Sequence, residues 1–264
     1  MYATDCIFDG KRASDLDLII CRFDKNDEVV TGGEIEHEVV KAPNTDKFED
    51  YGSQLNNVLV WKFSLAKNPC NNHGEDMYFN NQYSESEVMK WLTRKKGYKW
   101  FHFDQEGYDD VWYKVYINAT PHQVAGRTVG FDLTVTSNCG YGFSGLITRW
   151  KIINSTTPAT FSINSDVDEY ILPYIEIQAN GDFSVHNESD PRQNKENAKE
   201  TKFFNINQTI TMDSEYGVVT GLNSPADFNY YFLRLVDGEN TIVTDSTEDI
   251  TLKIQYREAR RVMV

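Results

Sequence analysis

The chain has 264 residues, 40% hydrophobic and 25% charged, with 15 Tyr, 15 Phe and 5 Trp, which is enough apolar material for packed cores and too much for global disorder. Its 40 acidic against 26 basic residues give a net charge of −14 and a pI near 4.8, a balance that disfavours gripping a phosphate backbone, since that needs clustered Lys and Arg. The opening MYATDCIFDGKRASDL has no basic segment followed by an apolar run, and no stretch approaches about eighteen uninterrupted apolar residues, so neither export nor membrane insertion is expected.

Length favours two domains over one. In chain order, VVTGGEIEHEVV and NNVLVWKFSLA read as strands. The longer region DEVVTGGEIEHEVVKAPNTDKFEDYG reads as an arm: two strands between polar stretches make a poor independent unit but gain by pairing with a neighbour's sheet. In CNNHGED, Cys70, His73, Glu75 and Asp76 offer soft, borderline and hard metal donors. A structural zinc site needs four suitable ligands and no second motif completes the set, so a surface turn is preferred. Cys6, Cys21, Cys70 and Cys139 are far apart with no CxxC pair, which predicts reduced thiols.

SESEVMKWLTRKKG predicts one helix, with Ser84 and Glu87 at capping-box spacing, Val88, Trp91 and Leu92 on one face and Gly97 as the stop. YKWFHFDQEGYDDVWYKVYINA follows as an aromatic hairpin against it. Its Trp100, Phe101, Phe103, Trp112, Tyr113 and Tyr116 suit either a sugar-stacking platform or a core. Core is preferred, because alternation turns about half of them inward. Glu106, Asp109 and Asp110 suggest a glycosidase pair only if two carboxylates face each other; ordinary turn chemistry accounts for them.

RTVGFDLTVTS is predicted to place Val129, Phe131, Leu133 and Val135 on one side, and it ends in NCGYGFSG, where the domain boundary is expected. Gly140, Gly142 and Gly145 have G-x-G-x-x-G spacing, but LITRWKIINSTTPATF after them reads as extended rather than helical, so a linker is preferred to a dinucleotide cradle. The runs PATFSIN, YILPYIEIQ, GDFSVHN, FFNINQTITM, NYYFLRLV and EDITLKIQYRE then predict a sandwich or jelly roll. SDPRQNKENAKETK reads as an exposed loop with a helical turn over KENAKE. No GxSxG elbow, HExxH helix or P-loop occurs, and no catalytic, metal-binding or cofactor-binding residue is expected.

In the last strand Ile250, Leu252, Ile254 and Tyr256 fall on one side and Arg257 on the other, with Arg260 and Arg261 beyond the alternation and free to extend away. These three arginines are gatekeepers of an aggregation-prone edge or candidate interface residues for an acidic partner.

The order FDGKRASDLDLIICRF, SEVMKWL, YKWFHF, FDLTVT, PYIEIQANGDFSV and RLVDGENTIVTDSTEDITLKIQYREARRV resembles the distal tail proteins of long-tailed phages of Gram-positive bacteria. The resemblance spans nearly the whole chain and implies a mainly β protein. A ring-forming N-terminal domain with one α-helix and an extended arm would occupy residues 1–142, and a galectin-like β-sandwich (jelly roll) residues 143–264. It further implies a non-enzymatic baseplate hub without cofactors, a homo-hexamer joining the major tail tube protein to the tail-tip (tail-associated) protein, with receptor-binding proteins as further partners. Stable nucleic-acid and membrane binding are not implied. The expected place is the virion tail tip, after assembly in the host cytoplasm. SDPRQNKENAKETK is longer than the family's usual hairpin at that place. The competing reading is a carbohydrate-binding module with Trp150, Tyr170, Tyr230 and Tyr231 available for stacking; weak or absent sugar binding is expected.

Overall fold

The computed structural model describes residues 3, 5–21, 35–41, 48–55, 58–79, 82–94, 96–107, 110–193 and 199–261. The first half carries β1 (Asp5–Phe8), β2 (Lys11–Arg12), β3 (Leu18–Cys21), β4 (Ile35–Lys41), β5 (Phe48–Leu55) and β6 (Val60–Lys67). Helix α1 (Gln82–Thr93) precedes β7 (Lys99–Asp104), β8 (Trp112–Val124), β9 (Arg127–Ser137) and β10 (Gly142–Phe143). The second half carries β11 (Ile147–Ile153), β12 (Ala159–Ile163), β13 (Tyr174–Gln178), β14 (Gly181–Asn187) and β15 (Thr201–Ile206). It continues with β16 (Ile210–Asp213), β17 (Val218–Thr220), β18 (Gly238–Thr244), β19 (Ile250–Tyr256) and β20 (Ala259–Arg260). One compact unit comprises Met1–Phe143 together with Arg261, and the other is Ser144–Arg260.

In the first unit, antiparallel neighbours run in the order β2-β1-β7-β8-β9-β6-β3. Asp9 and Gly10, at φ 51° and 77°, close the turn between Phe8 and Lys11; two positive φ values make the tight hairpin that Asp-Gly favours. One face of the sheet buries Trp61, Phe63, Phe101, Phe103, Tyr113, Val115, Phe131 and Leu133. Their rings meet edge to face, Phe101 and Phe103 at 4.6 Å and Trp61 and Tyr113 at 4.7 Å, the arrangement that aromatic quadrupoles favour. Helix α1 buries Val88, Trp91 and Leu92 against this core, and the Trp91 indole N–H donates to the Phe8 carbonyl at 3.0 Å. The helix begins at Gln82, so Ser84 lies within the first turn rather than at the cap.

Val129 departs from the expected alternation. His122 pairs with Gly130 but Gln123 pairs with Thr128, so Val129 is the extra residue of a β-bulge. The bulge reverses the side-chain phase: Thr128 is buried before it, and Phe131, Leu133 and Val135 after it. The hairpin of β4 and β5 forms its own two-stranded antiparallel sheet, and neither strand pairs with any other described strand.

The second unit is a sandwich of two sheets, β11-β19-β13-β16-β17 and β12-β18-β14-β15. The first turns Ile175, Ile177, Ile210, Met212, Ile250, Leu252, Ile254 and Tyr256 inward; the second contributes Phe161, Phe183, Val185, Phe203 and Ile242. FFNINQTITM is two strands rather than one: β15 and β16 belong to different sheets, separated by 207–209. NYYFLRLV is not a strand, and only Leu235 makes a bridge, to Ile171. Side chains take the carbonyls that a ladder would have used, Arg192 donating to Phe232 O at 2.6 Å and Asn187 to Arg234 O at 3.0 Å.

Candidate functional site

The motifs that suggested small-molecule chemistry resolve into packing and turns. Strand β11 follows the glycine-rich joint with no intervening helix. A Cβ at Gly142 would stand 2.6 Å from Val111 Cγ1 and 3.1 Å from Tyr113 Cε1, so that glycine permits close approach to β8. Within CNNHGED, Glu75 accepts from Arg127 at 2.6 Å, while the preceding turn is held on Asp17, which accepts from the side chains of Asn71 and Asn72. Those two hydrogen bonds hold the Asp17 pKa below its usual value. Among the described residues no group of three or more His, Cys, Asp or Glu could hold a metal ion. Glu106 and Asp110 are exposed, and Asp109 lies outside the described residues.

One side-chain trio has catalytic-looking composition. Ser64 Oγ donates to Asp132 Oδ1 at 2.6 Å, and His122 Nδ1 lies 2.9 Å from Asp132 Oδ2. The carboxylate stands between the other two, so the Ser64 proton is directed to Asp132 and not to the imidazole, contrary to the order that activates a nucleophile. Cys21, opposite Ser64 on β3, has its thiol pushed up to about 11 by burial and then by the Asp132 charge. It stays protonated at neutral pH and is a poor nucleophile.

The three terminal arginines do not act as one free cationic tail. Arg257 donates to the Ser144 carbonyl at 2.7 Å. Arg260 lies in β20 and donates to the Asn164 carbonyl and to Glu258 Oε2. Glu258 also accepts from Asn164 N–H at 3.1 Å, and its own N–H donates to Ser144 Oγ at 3.0 Å. Arg257 therefore ties the end of the second unit to its beginning and Arg260 ties it to the residue after β12, which corrects the expectation that Arg260 extends away. Arg261 is exposed.

The strongest charged cluster was not anticipated. Asp190, in the segment expected to be an exposed loop, has a side chain 0% exposed and accepts from Arg234 Nε at 3.0 Å and Nη2 at 2.7 Å. The Tyr170 ring lies 3.6 Å from the guanidinium carbon of Arg234, a cation–π contact on a forked ion pair. Burial alone would raise the Asp190 pKa. Hydrogen bonds from Arg234 and the Arg192 backbone, with the charges of both arginines, outweigh it and hold the group below the usual carboxylate range. Beside it Asn187 donates to Asn240 Oδ1 at 2.8 Å, and Gln193 Oε1 accepts from Asn187 N–H at 2.8 Å. The remainder of that segment, 194–198, with most of the expected helical turn, lies outside the described residues. One arginine between two leucines, Leu233 and Leu235, both fully buried, was the available signal, because a cation there needs a nearby carboxylate.

The aromatics divide by strand alternation. Phe101, Phe103 and Tyr113 are buried, whereas Trp100 and Trp112 are half-buried and Tyr116 is exposed. Of the second-half residues, Tyr170 carries Arg234, and Lys199 lies 5.5 Å from the centre of the Tyr231 ring. Trp150, with Lys253 5.4 Å from its ring centre, remains exposed.

A family model described as "Phage tail protein N-terminal domain" matches residues 1–139, and one described as "Phage tail C-terminal domain" matches residues 141–256. Among solved structures, the crystal structure of SPP1 Dit, described as a paradigm of the hub adsorption apparatus in Gram-positive infecting phages, aligns with a TM-score of 0.60 at 10% identity. The alignment covers 97% of this chain and 99% of that one, a likeness of fold. A fructofuranosidase from Schwanniomyces occidentalis aligns with a TM-score of 0.21 at 8% identity, over 86% of this chain and 59% of that one, and carries no argument. No curated protein matches the chain.

Proposed function

The chain belongs to the phage tail protein family whose N- and C-terminal domain models it matches, and from that premise we propose that it is the baseplate hub of a long non-contractile tail, with no enzymatic role. In this reading residues 1–142 assemble six copies into a ring, and residues 143–264 form a galectin-like sandwich domain. The ring joins the major tail tube protein to the tail-tip protein, and receptor-binding proteins are further partners. It is built in the host cytoplasm and resides at the tail tip of the virion.

The observation that carries the reading is the extent of the fold likeness to SPP1 Dit, 97% of this chain and 99% of that one, which takes in both units. The β4–β5 ribbon supports assembly, because a two-stranded ribbon that pairs with no other described strand is marginal alone and gains from a neighbouring sheet. Net charge agrees with a conduit that lets DNA pass: six copies at −14 carry about −84, six times −14, and the share facing a lumen repels phosphate. Arg257, Arg260 and Arg261 remain candidate interface residues in this scheme.

Sedimentation and negative-stain microscopy of the chain, alone and co-expressed with the other tail proteins, test the proposal. Closed six-fold rings are expected, near 182 kDa for six copies of 30.4 kDa. A monomer under every condition, together with absence of the protein from purified tail tips, would overturn it.

A further inference from the structure

The second unit has four edge strands, and three are protected in the ways natural sheets protect edges. Strand β17 has three residues. Strand β15 is covered, since Phe203 bridges Phe228, and Lys202 donates to Asn229 Oδ1 at 3.0 Å while its carbonyl accepts from Asn229 N–H at 3.3 Å. Strand β12 exposes only Thr160 and Ser162, and Lys151 Nζ donates to the Thr160 carbonyl at 3.4 Å.

Strand β11 differs. It is seven residues long, pairs with β19 on one side, and has no described strand on the other. Thr148, Trp150 and Ile152 stand opposite Gln255, Lys253 and Thr251 on the outward face, whereas Arg149 and Lys151 stand opposite the buried Ile254 and Leu252 on the sandwich side. Trp150 and Ile152 are 60% and 61% exposed. Arg149 is exposed and has no acceptor among the described residues.

Cations on the inner side of an edge strand discourage indiscriminate pairing. They do not account for two large apolar side chains held in water beside them. Both features fit an edge that selects its partner. A strand added to β11 would set one row of side chains beside Arg149 and Lys151 and the alternate row beside Trp150 and Ile152.

We propose that the open edge of β11 is a docking site for an extended segment of a partner protein in which carboxylate and apolar side chains alternate. The segment adds a sixth strand to the β11-β19-β13-β16-β17 sheet. Main-chain hydrogen bonds supply affinity, the apolar row packs against Trp150 and Ile152, and the carboxylates pair with Arg149 and Lys151. In a chain of net charge −14 this is a local reversal of sign. Complementary charge steers acidic segments to it, and like charge rejects basic ones. The site stands whether or not the chain forms a ring.

The test is fluorescence anisotropy of a labelled, end-blocked peptide of about eight residues alternating Val and Glu, titrated with the full chain. A Val–Lys peptide serves as the charge control, and a Val–Glu peptide with N-methylated alternate amides, which cannot donate to a ladder, as the backbone control. Saturable binding of the Val–Glu peptide alone is expected. It should weaken by at least about tenfold in Trp150→Ser and in the double variant Arg149→Glu with Lys151→Glu, and weaken as salt rises from about 0.05 M to about 0.5 M. All three substitutions are on exposed or half-buried side chains, and thermal melts verify that each variant folds. No saturable binding, equal binding of either control, or binding indifferent to the substitutions would overturn the proposal. So would a concentration-dependent dimer abolished by Trp150→Ser, which assigns the edge to a second copy of the chain.

Discussion

At the scale of single residues, Asp190 is the side chain whose loss should cost most. It is fully buried, and Arg234, 18% exposed, depends on it for two hydrogen bonds. Removing one member of such a pair leaves the other charge uncompensated, so Asp190→Ala should destabilise by about 3–5 kcal/mol, measured by urea unfolding. The pH dependence follows from the depressed folded pKa. The unfolded group titrates near about 3.9, so the carboxylate contributes its stability above that pH and loses it as pH falls through the lower folded pKa. Acid unfolding of the native chain should therefore steepen below about pH 4, and Asp190→Asn should flatten that part of the curve. An unchanged acid limb in the Asn variant would show that the pair contributes nothing. Sequence showed an arginine lodged between leucines, but its carboxylate lies 44 residues earlier, in a segment whose polarity gave no sign of burial.

Among elements, those with strong local signals were the legible ones. Helix α1, the β7–β8 hairpin and the alternation of β19 follow from periodicity alone, and the structure places Val88, Trp91, Leu92, Ile250, Leu252, Ile254 and Tyr256 in the cores. The failures were non-local. Whether NYYFLRLV became a strand depended on Asn187 and Arg192 taking its carbonyls, and the phase of Val129 depended on an extra residue opposite the facing strand. The β4–β5 ribbon belongs to this scale too, because it pairs with no other described strand. Replacing residues 35–55 by a short flexible linker should leave the circular dichroism of the two units nearly intact and abolish the proposed ring in sedimentation. Rings that persist without the ribbon would remove its assembly role, whereas loss of the fold would show that it stabilises its own chain.

The whole molecule raises the question of what its last basic residues do, and the structure divides them. Arg260 donates to Glu258, whose side chain is 9% exposed; both bond Asn164, and the Glu258 N–H donates to Ser144 Oγ, which closes the second unit. Reversing Arg260 to Glu would place two carboxylates together with one of them nearly buried. That should lower stability by roughly 2 kcal/mol, below the full cost of breaking a buried pair because Arg260 is partly exposed. Arg261 is exposed, and an exposed charged contact is worth about 0–1 kcal/mol, so its reversal costs less stability than that of Arg260. Assembly into the proposed ring responds differently, since such a ring repeats each contact at every interface and small electrostatic terms accumulate around it. The expected pattern is thus crossed. Arg260→Glu lowers the melting temperature of the isolated chain more than Arg261→Glu does, whereas Arg261→Glu weakens the proposed ring, most at low ionic strength where screening is least. Calorimetry and sedimentation on both variants at low and high salt distinguish the roles. Rings from Arg261→Glu as stable as the native ones at low salt would take Arg261 out of the interface and leave solubility as its contribution, and an unchanged melting temperature in Arg260→Glu would mean that the closure at Glu258 adds no stability.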